Sequence, residues 1–334
     1  MRFGLFGGAA ARRGVAAAES ARGYHDFVEY QVEAEALGIH GSFVTEHHFT
    51  AIGQVSATLN LLTWVAARTT TLRLGTAVIV LPWHNPVLLA EQAATLDLLS
   101  GGRLDFGIGK GYRHNEFFGF AMPPAEAESR FEEGLAVITR AWISDEPFSH
   151  AGRYWHFDQI VVEPPPAQRP HPPLWMAASS AESIRGCARR GSNLLLDQFA
   201  APELIGERIA LYRSELEAAG HVFDPMRVAV ARNFFVAADA DETAAALGRQ
   251  AQANQRLLTL SRGSESRAGS HILGYSDAPG AREANALIGT PDEIAAKLAA
   301  LRAVGVEYVL LSGAGSRDNL RRFARDIMPA FATG

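Results

Sequence analysis

Residues 40–53 read HGSFVTEHHFTAIG, a short apolar run that ends in an acid and two adjacent histidines. The residues before it carry apolar side chains at helical spacing, and Gly38 is placed to close the last turn of that helix. A helix, a strand and then a polar cluster is the order found in an α/β barrel, where functional side chains follow the carboxyl ends of the strands. Glu46, His47 and His48 are therefore the first candidate functional residues.

The same alternation continues along the whole chain. Eight short segments rich in branched or aromatic residues are separated by helical patterns, and they begin near Arg2, Ser42, Leu72, Arg103, Leu174, Asn193, Val228 and Glu307. This alternation predicts an α/β fold of the (β/α)8 TIM-barrel class. A doubly wound sheet is the main competing fold, but no G-x-G-x-x-G follows the first predicted strand. Thr290-Pro291-Asp292-Glu293 is typical of a capping box, so a helix is predicted to begin there.

Two segments interrupt the alternation. Residues 145–173 are rich in Pro, Trp and His and are predicted to be an insertion. Residues 261–289 show no periodicity, and a long irregular stretch within a compact protein is typical of an active-site lid or a mobile loop. We find no internal repeat and no linker, so residues 1–334 are predicted to form a single domain with these two additions.

The composition excludes several classes of function. The 334 residues carry a formal charge of −5, which gives no reason to expect nucleic acid or an anionic membrane as a partner. Cys187 is the only cysteine, so an internal disulfide and a cysteine-based metal site are excluded. The alanine-rich run after Arg12 and Arg13 is too short for a signal peptide, and no stretch approaches transmembrane length. We therefore expect a cytoplasmic protein.

Each candidate at a strand end also has a purely structural interpretation. His47 and His48 can be ordinary polar residues at a strand terminus, and a metal site is not expected because adjacent side chains alternate between faces. Ser179-Ser180-Ala181-Glu182 fits a capping box, although the free N–H groups of such a helix start can also bind phosphate. Arg130 lies in a helical pattern and can be half of a surface ion pair. None of these signals is specific alone.

Taken together, four segments resemble the bacterial luciferase-like flavin monooxygenases. They are EHHFT (46–50), LRLGTAVIVLPWHNP (72–86), EQAATLDLLSGGRLDFGIGKG (91–111) and TPDEI (290–294). HNP (84–86) followed by TLDLLSGGRL (95–104) is a distinctive family signature, and the similarity runs from Met1 to about Pro329. The chain looks most like the branch that contains the luciferase α subunit. Family members are (β/α)8 barrels, in agreement with the eight predicted strands.

The resemblance implies a site for FMN. His47 matches the histidine that lies beside the flavin ring and acts as a base, and Glu46 matches the acid before it, which we expect to orient the imidazole. Ala77 and Val78 match a pair joined by a non-prolyl cis peptide against the flavin. Gly109 replaces a reactive cysteine of the luciferase α subunit, which argues against a light-emitting enzyme. The residues assigned to the phosphate are Lys110, Arg130, Ser179, Ser180 and Ser183.

The function implied by the resemblance is a two-component monooxygenase. Such an enzyme takes reduced FMN from a separate flavin reductase and uses dioxygen to oxygenate a small apolar substrate, such as an aldehyde, a ketone or a terpenoid. We expect the apolar wall of the substrate site to be formed by Phe6, Phe49, Trp83 and Phe199. We also expect the protein to be a homodimer. Two alternatives stay open: an oxidoreductase that uses a reduced deazaflavin coenzyme, and a flavin-binding subunit without activity of its own.

Overall fold

The computed structural model describes residues 1–11, 13–51, 53–261, 281–313 and 316–332. Each of the eight predicted strands is present within it. The strands are β1 Arg2–Gly7, β2 Gly41–Val44, β3 Arg73–Thr76, β4 Ile79–Val80, β5 Leu104–Gly109, β6 Phe148–Ala151, β7 His156–Ile160, β8 Leu174–Ala177, β9 Asn193–Leu196, β10 Val228–Val236, β11 Leu287–Gly289 and β12 Tyr308–Ser312.

Helices follow the strands in the predicted order. They are α1 Ala17–Ala36, α2 Thr58–Ala66, α3 Pro86–Leu99, α4 His114–Gly119, α5 Ala127–Ile143, α6 Ala181–Arg189, α7 Pro202–Ala218, α8 Ala240–Ser261, α9 Ala281–Ala284, α10 Pro291–Ala303 and α11 Arg317–Asp326. Gly38, which was predicted to end this first helix, has a φ of +83°, the left-handed conformation that is common just after a helix. No helix in the described ranges combines the length and the apolar character needed to cross a membrane.

One compact unit consists of Met1–Gly7, Glu29–Phe43 and Trp175–Gly334. Its strands pair in parallel: β12 lies between β1 and β10, and β9 pairs with both β10 and β8. β9 and β12 carry mainly buried aliphatic side chains, as expected for parallel strands covered on both faces. Phe43, Trp175 and Tyr308 meet edge to face inside this unit, with ring centroids 5.3–6.2 Å apart.

The other unit consists of Gly8–Val28 and Val44–Leu174. Within it β5 pairs in parallel with β3 and β4. Helix α3 packs against α2 and α5, and Trp142 of α5 donates a hydrogen bond from Nε1 to the Ala90 carbonyl at 3.0 Å. The prediction of a single domain for the whole chain stays a prediction.

The family signature 95–104 is structural. Asp97 is fully buried and accepts hydrogen bonds from the backbone N–H and the side-chain amide of Gln168, at 2.8 and 2.7 Å. Arg103 is also buried, and its guanidinium donates to the hydroxyl of Thr69 and to four backbone carbonyls, at 2.7–3.0 Å. These carbonyls belong to Ala66, Thr69, Leu72 and Ser100. Arg103 therefore holds the end of α2 and the turn after α3 against the start of β3.

The predicted insertion at 145–173 contains an antiparallel hairpin. β6 and β7 pair with Phe148 opposite Ile160 and Ala151 opposite His156, with a register shift after Phe148. The hairpin is connected to α5, because Glu133 accepts backbone hydrogen bonds from its turn. The insertion is therefore an ordered addition.

The prediction for residues 261–289 is corrected at its carboxyl end. Residues 262–280, where most of the predicted lid falls, lie outside the described residues. Residues 281–284 are α9, and Leu287–Gly289 is the buried strand β11, which pairs in parallel with β10. Three residues are too few to show a periodic pattern, which is why the sequence did not indicate this strand. The capping box at Thr290 follows directly and is confirmed.

Candidate active site

The residues after β2 form a compact polar group with two other segments of the same unit. Glu46 contacts His48 and also His84, which follows the 3₁₀ turn Leu81–Trp83, and His47 contacts Glu116 in the first turn of α4. The backbone N–H of His47 donates to the Val55 carbonyl at 2.8 Å and fixes the chain direction after the strand. Three strand exits therefore converge on two buried carboxylates and three imidazoles.

Glu46 is the centre of one half of this group. Its Oε1 lies 2.7 Å from His48 Nε2 and 2.8 Å from His84 Nε2, while Oε2 accepts the Val80 backbone N–H at 2.8 Å. Burial opposes ionisation, but the hydrogen bonds from His48, His84 and Val80 outweigh it and hold the pKa of Glu46 below its usual value. The expectation that Glu46 orients His47 is therefore wrong: Glu46 binds the other two histidines.

His47 pairs with Glu116 instead. Its Nδ1 lies 3.1 Å from Glu116 Oε1, which also accepts the His48 backbone N–H at 2.9 Å. An ionised carboxylate only accepts hydrogen bonds, so His47 donates from Nδ1 and Nε2 carries the lone pair of the neutral ring. Burial, aided by the charge of Arg113, lowers the pKa of His47 in spite of the opposing effect of Glu116. The His47 ring is therefore neutral at pH 7, and its orientation is fixed by Glu116.

Glu116 is the functional residue that sequence reasoning missed. It lies 69 positions from its partner, in RHNEFFGF (113–120), and its carboxylate is buried. Its position just beyond the β5 exit was the available signal, since polar residues at that location belong to the active face of a barrel. In the HNP signature, His84 binds Glu46, and Asn85 caps α3 by accepting the N–H groups of Val87 and Leu88.

Substitution of Glu116 tests this pairing. Glu116→Gln removes the charge and the acceptor that raise the pKa of His47, so we expect that pKa to fall further below its usual value. A histidine NMR titration of the unaltered and variant proteins measures it. Glu133→Gln, which removes the carboxylate of a different histidine pair, His150–Glu133, is the matched control. A raised or unchanged His47 pKa in Glu116→Gln would contradict the assignment.

The cis peptide between Ala77 and Val78 is confirmed. It follows β3, two residues before the Val80 N–H that donates to Glu46. Gly109, at the end of β5, lies against the same segment, and a Cβ built there would approach Val78 Cγ2 to 2.5 Å. A side chain at position 109 would therefore require Val78 to shift.

The two basic residues assigned to phosphate lie near the start of α5. Lys110 forms an ion pair with Glu128, and Arg130 donates from Nε to Glu126 Oε2 at 2.9 Å. The surface ion pair considered for Arg130 is therefore present. Both cations are partly exposed, so solvent and a dianionic ligand can reach them. This donor set fits the phosphate of FMN, because guanidinium and ammonium groups are the usual phosphate ligands.

The serine cluster belongs to the other compact unit. Ser180, not Ser179, is the N-cap of α6, and its Oγ accepts the Ser183 N–H at 3.2 Å. The prediction of a capping box at Ser179–Glu182 is therefore wrong: the helix begins one residue later, and its third residue is Ser183 instead of Glu182. Ser183 Oγ donates back to the Ser180 carbonyl at 2.9 Å. The assignment of Ser179, Ser180 and Ser183 to phosphate stays a prediction.

An aromatic group adjoins the histidines. The Phe120 ring lies 4.8 Å from the His48 ring, 5.0 Å from Phe49 and 5.3 Å from Trp83, on which it stacks. Phe49 is 56% exposed, and its ring occupies the space that a side chain at Gly119 would need. No group of three or more His, Cys, Asp or Glu side chains in the described ranges is arranged to hold a metal ion. The rings of Phe120, Phe49 and Trp83 make the surroundings of the His48 imidazole apolar on the side that they cover.

Known proteins resemble this chain along most of its length. The oxygenase component of the flavin-dependent trigonelline monooxygenase of Acinetobacter baylyi is 27% identical over 335 residues, which cover 92% of this chain and 90% of the relative. The FMNH2-dependent dimethylsulfone monooxygenase of Pseudomonas putida is 28% identical, with coverages of 79% and 75%. The chain spans only about half the length of other relatives, such as two uncharacterized proteins of Sinorhizobium fredii at 52% and 51%.

Solved structures also resemble this chain along its length. Monooxygenase RslO1 of Streptomyces bottropensis has a TM-score of 0.85 at 27% identity, covering 99% of this chain and 100% of its own. An F420-dependent secondary alcohol dehydrogenase shares the fold, with a TM-score of 0.78 at 19% identity over 99% of both chains. These likenesses confirm the (β/α)8 TIM-barrel fold class.

The family model of the luciferase-like monooxygenases matches residues 1–308. The two relatives are flavin-dependent monooxygenases, so the prediction of a flavin-dependent monooxygenase or oxidoreductase is confirmed at the level of the family. The closer likeness to the luciferase α subunit stays a prediction. The chain belongs to the luciferase-like monooxygenase family.

Proposed function

We propose that this protein is the oxygenase component of a two-component system, which uses reduced FMN and dioxygen to oxygenate a small apolar substrate. The single observation that carries the proposal is the His47–Glu116 pair, a neutral imidazole held by a buried carboxylate just after β2. When bound, reduced FMN supplies the electrons that activate dioxygen. The protein residues bind and orient the cofactor and the substrate and exclude water, and His47 moves a proton.

His47 Nε2 is the atom that accepts and returns the proton. Glu116 holds the ring through Nδ1, so only Nε2 is available to a reactant. The lowered pKa keeps this nitrogen unprotonated at neutral pH, and proton uptake places a positive charge beside the Glu116 carboxylate, which stabilises it. Glu46 takes no proton; it holds His48, His84 and Val80 in position.

The aromatic group supports an apolar substrate. Phe49 and Phe120 present ring surface beside His48, and Trp83 and Phe117 pack behind them with ring centroids 4.6 Å apart. Apolar walls bind a substrate without hydrogen-bonding groups and displace water from the reacting atoms. We place an apolar aldehyde, ketone or terpenoid substrate against this surface.

Lys110 and Arg130 are proposed to bind the phosphate of FMN. Reduced FMN should therefore bind at least about tenfold more tightly than reduced riboflavin, since a charge-assisted contact to phosphate is worth about 1.5–3 kcal/mol. Anaerobic calorimetric titration of both flavins measures the difference. Equal dissociation constants would remove Lys110 and Arg130 from the cofactor site.

Three further elements belong to the proposal. A flavin reductase supplies reduced FMN, in line with a relative that is itself an oxygenase component. The protein works in the cytoplasm, where such a reductase has access to it. Two copies associate as a homodimer through the α2 and α3 surface, which exposes Trp64, Leu88, Leu98 and Leu99.

The intact His47–Glu116 pair favours an active enzyme over an inactive flavin-binding subunit.

The activity is tested by supplying reduced FMN chemically, without any reductase. We expect ¹⁸O from ¹⁸O₂ to enter one product from a panel of apolar aldehydes, cyclic ketones and terpenoids. Oxygen consumption with hydrogen peroxide as the sole product across the panel, at saturating substrate, would contradict a monooxygenase acting on this class.

A further inference from the structure

The turn of the β6–β7 hairpin, residues 152–155, is fastened to one face of α5. Glu126, Ser129, Arg130 and Glu133 recur at intervals of three and four residues, so they lie along one side of the helix and the turn before it. Each of them is engaged in one continuous set of contacts. The centre of the set is Tyr154, which belongs to the insertion predicted at 145–173.

Glu133 anchors the turn. Its carboxylate accepts the backbone N–H groups of Arg153, Tyr154 and Trp155 at 2.8–3.1 Å, and His150 Nε2 lies 3.2 Å from it. Gly152 gives the carboxylate room to enter, because a Cβ there would lie 2.1 Å from Glu133 Oε1. Three convergent N–H donors on one carboxylate fix the backbone of the turn far more firmly than a surface ion pair does.

The anchored turn places the Tyr154 ring against Arg130. The guanidinium carbon of Arg130 lies 4.2 Å from the ring centroid, and the Tyr154 hydroxyl lies 2.7 Å from Ser129 Oγ. Arg130 also donates from Nε to Glu126, so its guanidinium is held between a carboxylate and an aromatic face. An arginine fixed in this way loses less side-chain entropy when a ligand binds its remaining N–H groups.

We propose that Tyr154 is a positioning residue for the cofactor phosphate: through its ring it holds Arg130 in the geometry that binds phosphate, and the hairpin insertion is thus part of the cofactor site. The inference rests on the proposed function, since it takes Arg130 as a phosphate ligand. The ring is the active element, and the hydroxyl contact to Ser129 orients the ring.

Two substitutions separate the ring from the hydroxyl. Tyr154→Leu removes both, whereas Tyr154→Phe retains the ring over Arg130. The measurement is the ratio of the dissociation constants of reduced riboflavin and reduced FMN, titrated anaerobically, because a general loss of folding alters both constants alike. We expect Tyr154→Leu to lower this ratio by about 3- to 30-fold, the range of a cation–π contact at a partly buried site, and Tyr154→Phe to keep it within about twofold.

The chain provides a matched control on the same helix and hairpin. Arg140 of α5 lies over the Phe148 ring of β6 at 4.5 Å, so Phe148→Leu removes the same kind of contact from an arginine that is not assigned to phosphate. Phe148→Leu should leave the ratio unchanged. A ratio preserved in Tyr154→Leu, or lowered equally in Phe148→Leu, would overturn the role of Tyr154 alone. A ratio near one in the unaltered protein would overturn the phosphate site itself.

Discussion

Replacing His47 by alanine should lower the rate of substrate oxygenation by about 10²–10⁴-fold, the usual contribution of a positioned general base. The affinity for reduced FMN should stay within a few-fold, because the proposed phosphate ligands Lys110 and Arg130 contact Glu128 and Glu126 and not the imidazole. Single-turnover kinetics with saturating reduced FMN and substrate separate the two effects. His47 lies at the centre of the proposal, and its loss cannot be replaced by His48, whose Nε2 is bound to Glu46.

His48→Ala is the control for that result. It removes one of three hydrogen bonds from Glu46 but leaves the His47–Glu116 pair in place. We expect a smaller loss of turnover than in His47→Ala. The opposite order, with the large loss at His48, would mean that the other imidazole carries the proton.

Replacing Arg103 by methionine should destabilise the protein by about 3–5 kcal/mol, because five buried hydrogen bonds from a charged donor are lost and such bonds contribute about 1.5–3 kcal/mol each before the structure relaxes. The methionine fills similar volume but leaves the Thr69 hydroxyl and the carbonyls of Ala66, Thr69, Leu72 and Ser100 without these donors. Unsatisfied buried acceptors are costly because water cannot reach them. Chemical denaturation of both proteins, compared at the same denaturant slope, measures the change in unfolding free energy.

Arg213→Met is the matched control for Arg103. Arg213 lies on α7 in an exposed i, i+4 ion pair with Glu217, and such pairs contribute at most about 1 kcal/mol. If Arg103→Met lowered the free energy of unfolding no more than Arg213→Met does, the signature 95–104 would not be a structural motif.

Local signals in the sequence predicted most of the fold. All eight predicted strands are present because each is an apolar run bounded by a turn, although the run that begins at Leu72 is divided into β3 and β4 at the Ala77–Val78 cis peptide. The helix start at Thr290 was correct because a capping box needs only four consecutive residues. The helix start near Ser180 was displaced by one residue because two adjacent serines can both cap. β11 was missed because Leu287–Gly289 is too short to show a period.

The candidate site was only half predictable. His47 and Glu46 were found from their place after a strand, and the cis peptide at Ala77–Val78 was inferred from the family resemblance. The pairing of carboxylates with imidazoles could not be read from the chain. Glu46 and His47 are neighbours in sequence, yet adjacent side chains on an extended segment diverge, so each finds its partner on another segment. Such contacts are decided by tertiary packing.

The central claim, that this barrel binds reduced FMN as its co-substrate, is tested most directly by anaerobic titration of the protein with reduced FMN and, separately, with a reduced deazaflavin coenzyme. The claim predicts saturable binding of reduced FMN at micromolar concentrations, and deazaflavin affinity at least about tenfold weaker, a difference of about 1.4 kcal/mol. Tighter binding of the reduced deazaflavin than of reduced FMN would contradict it.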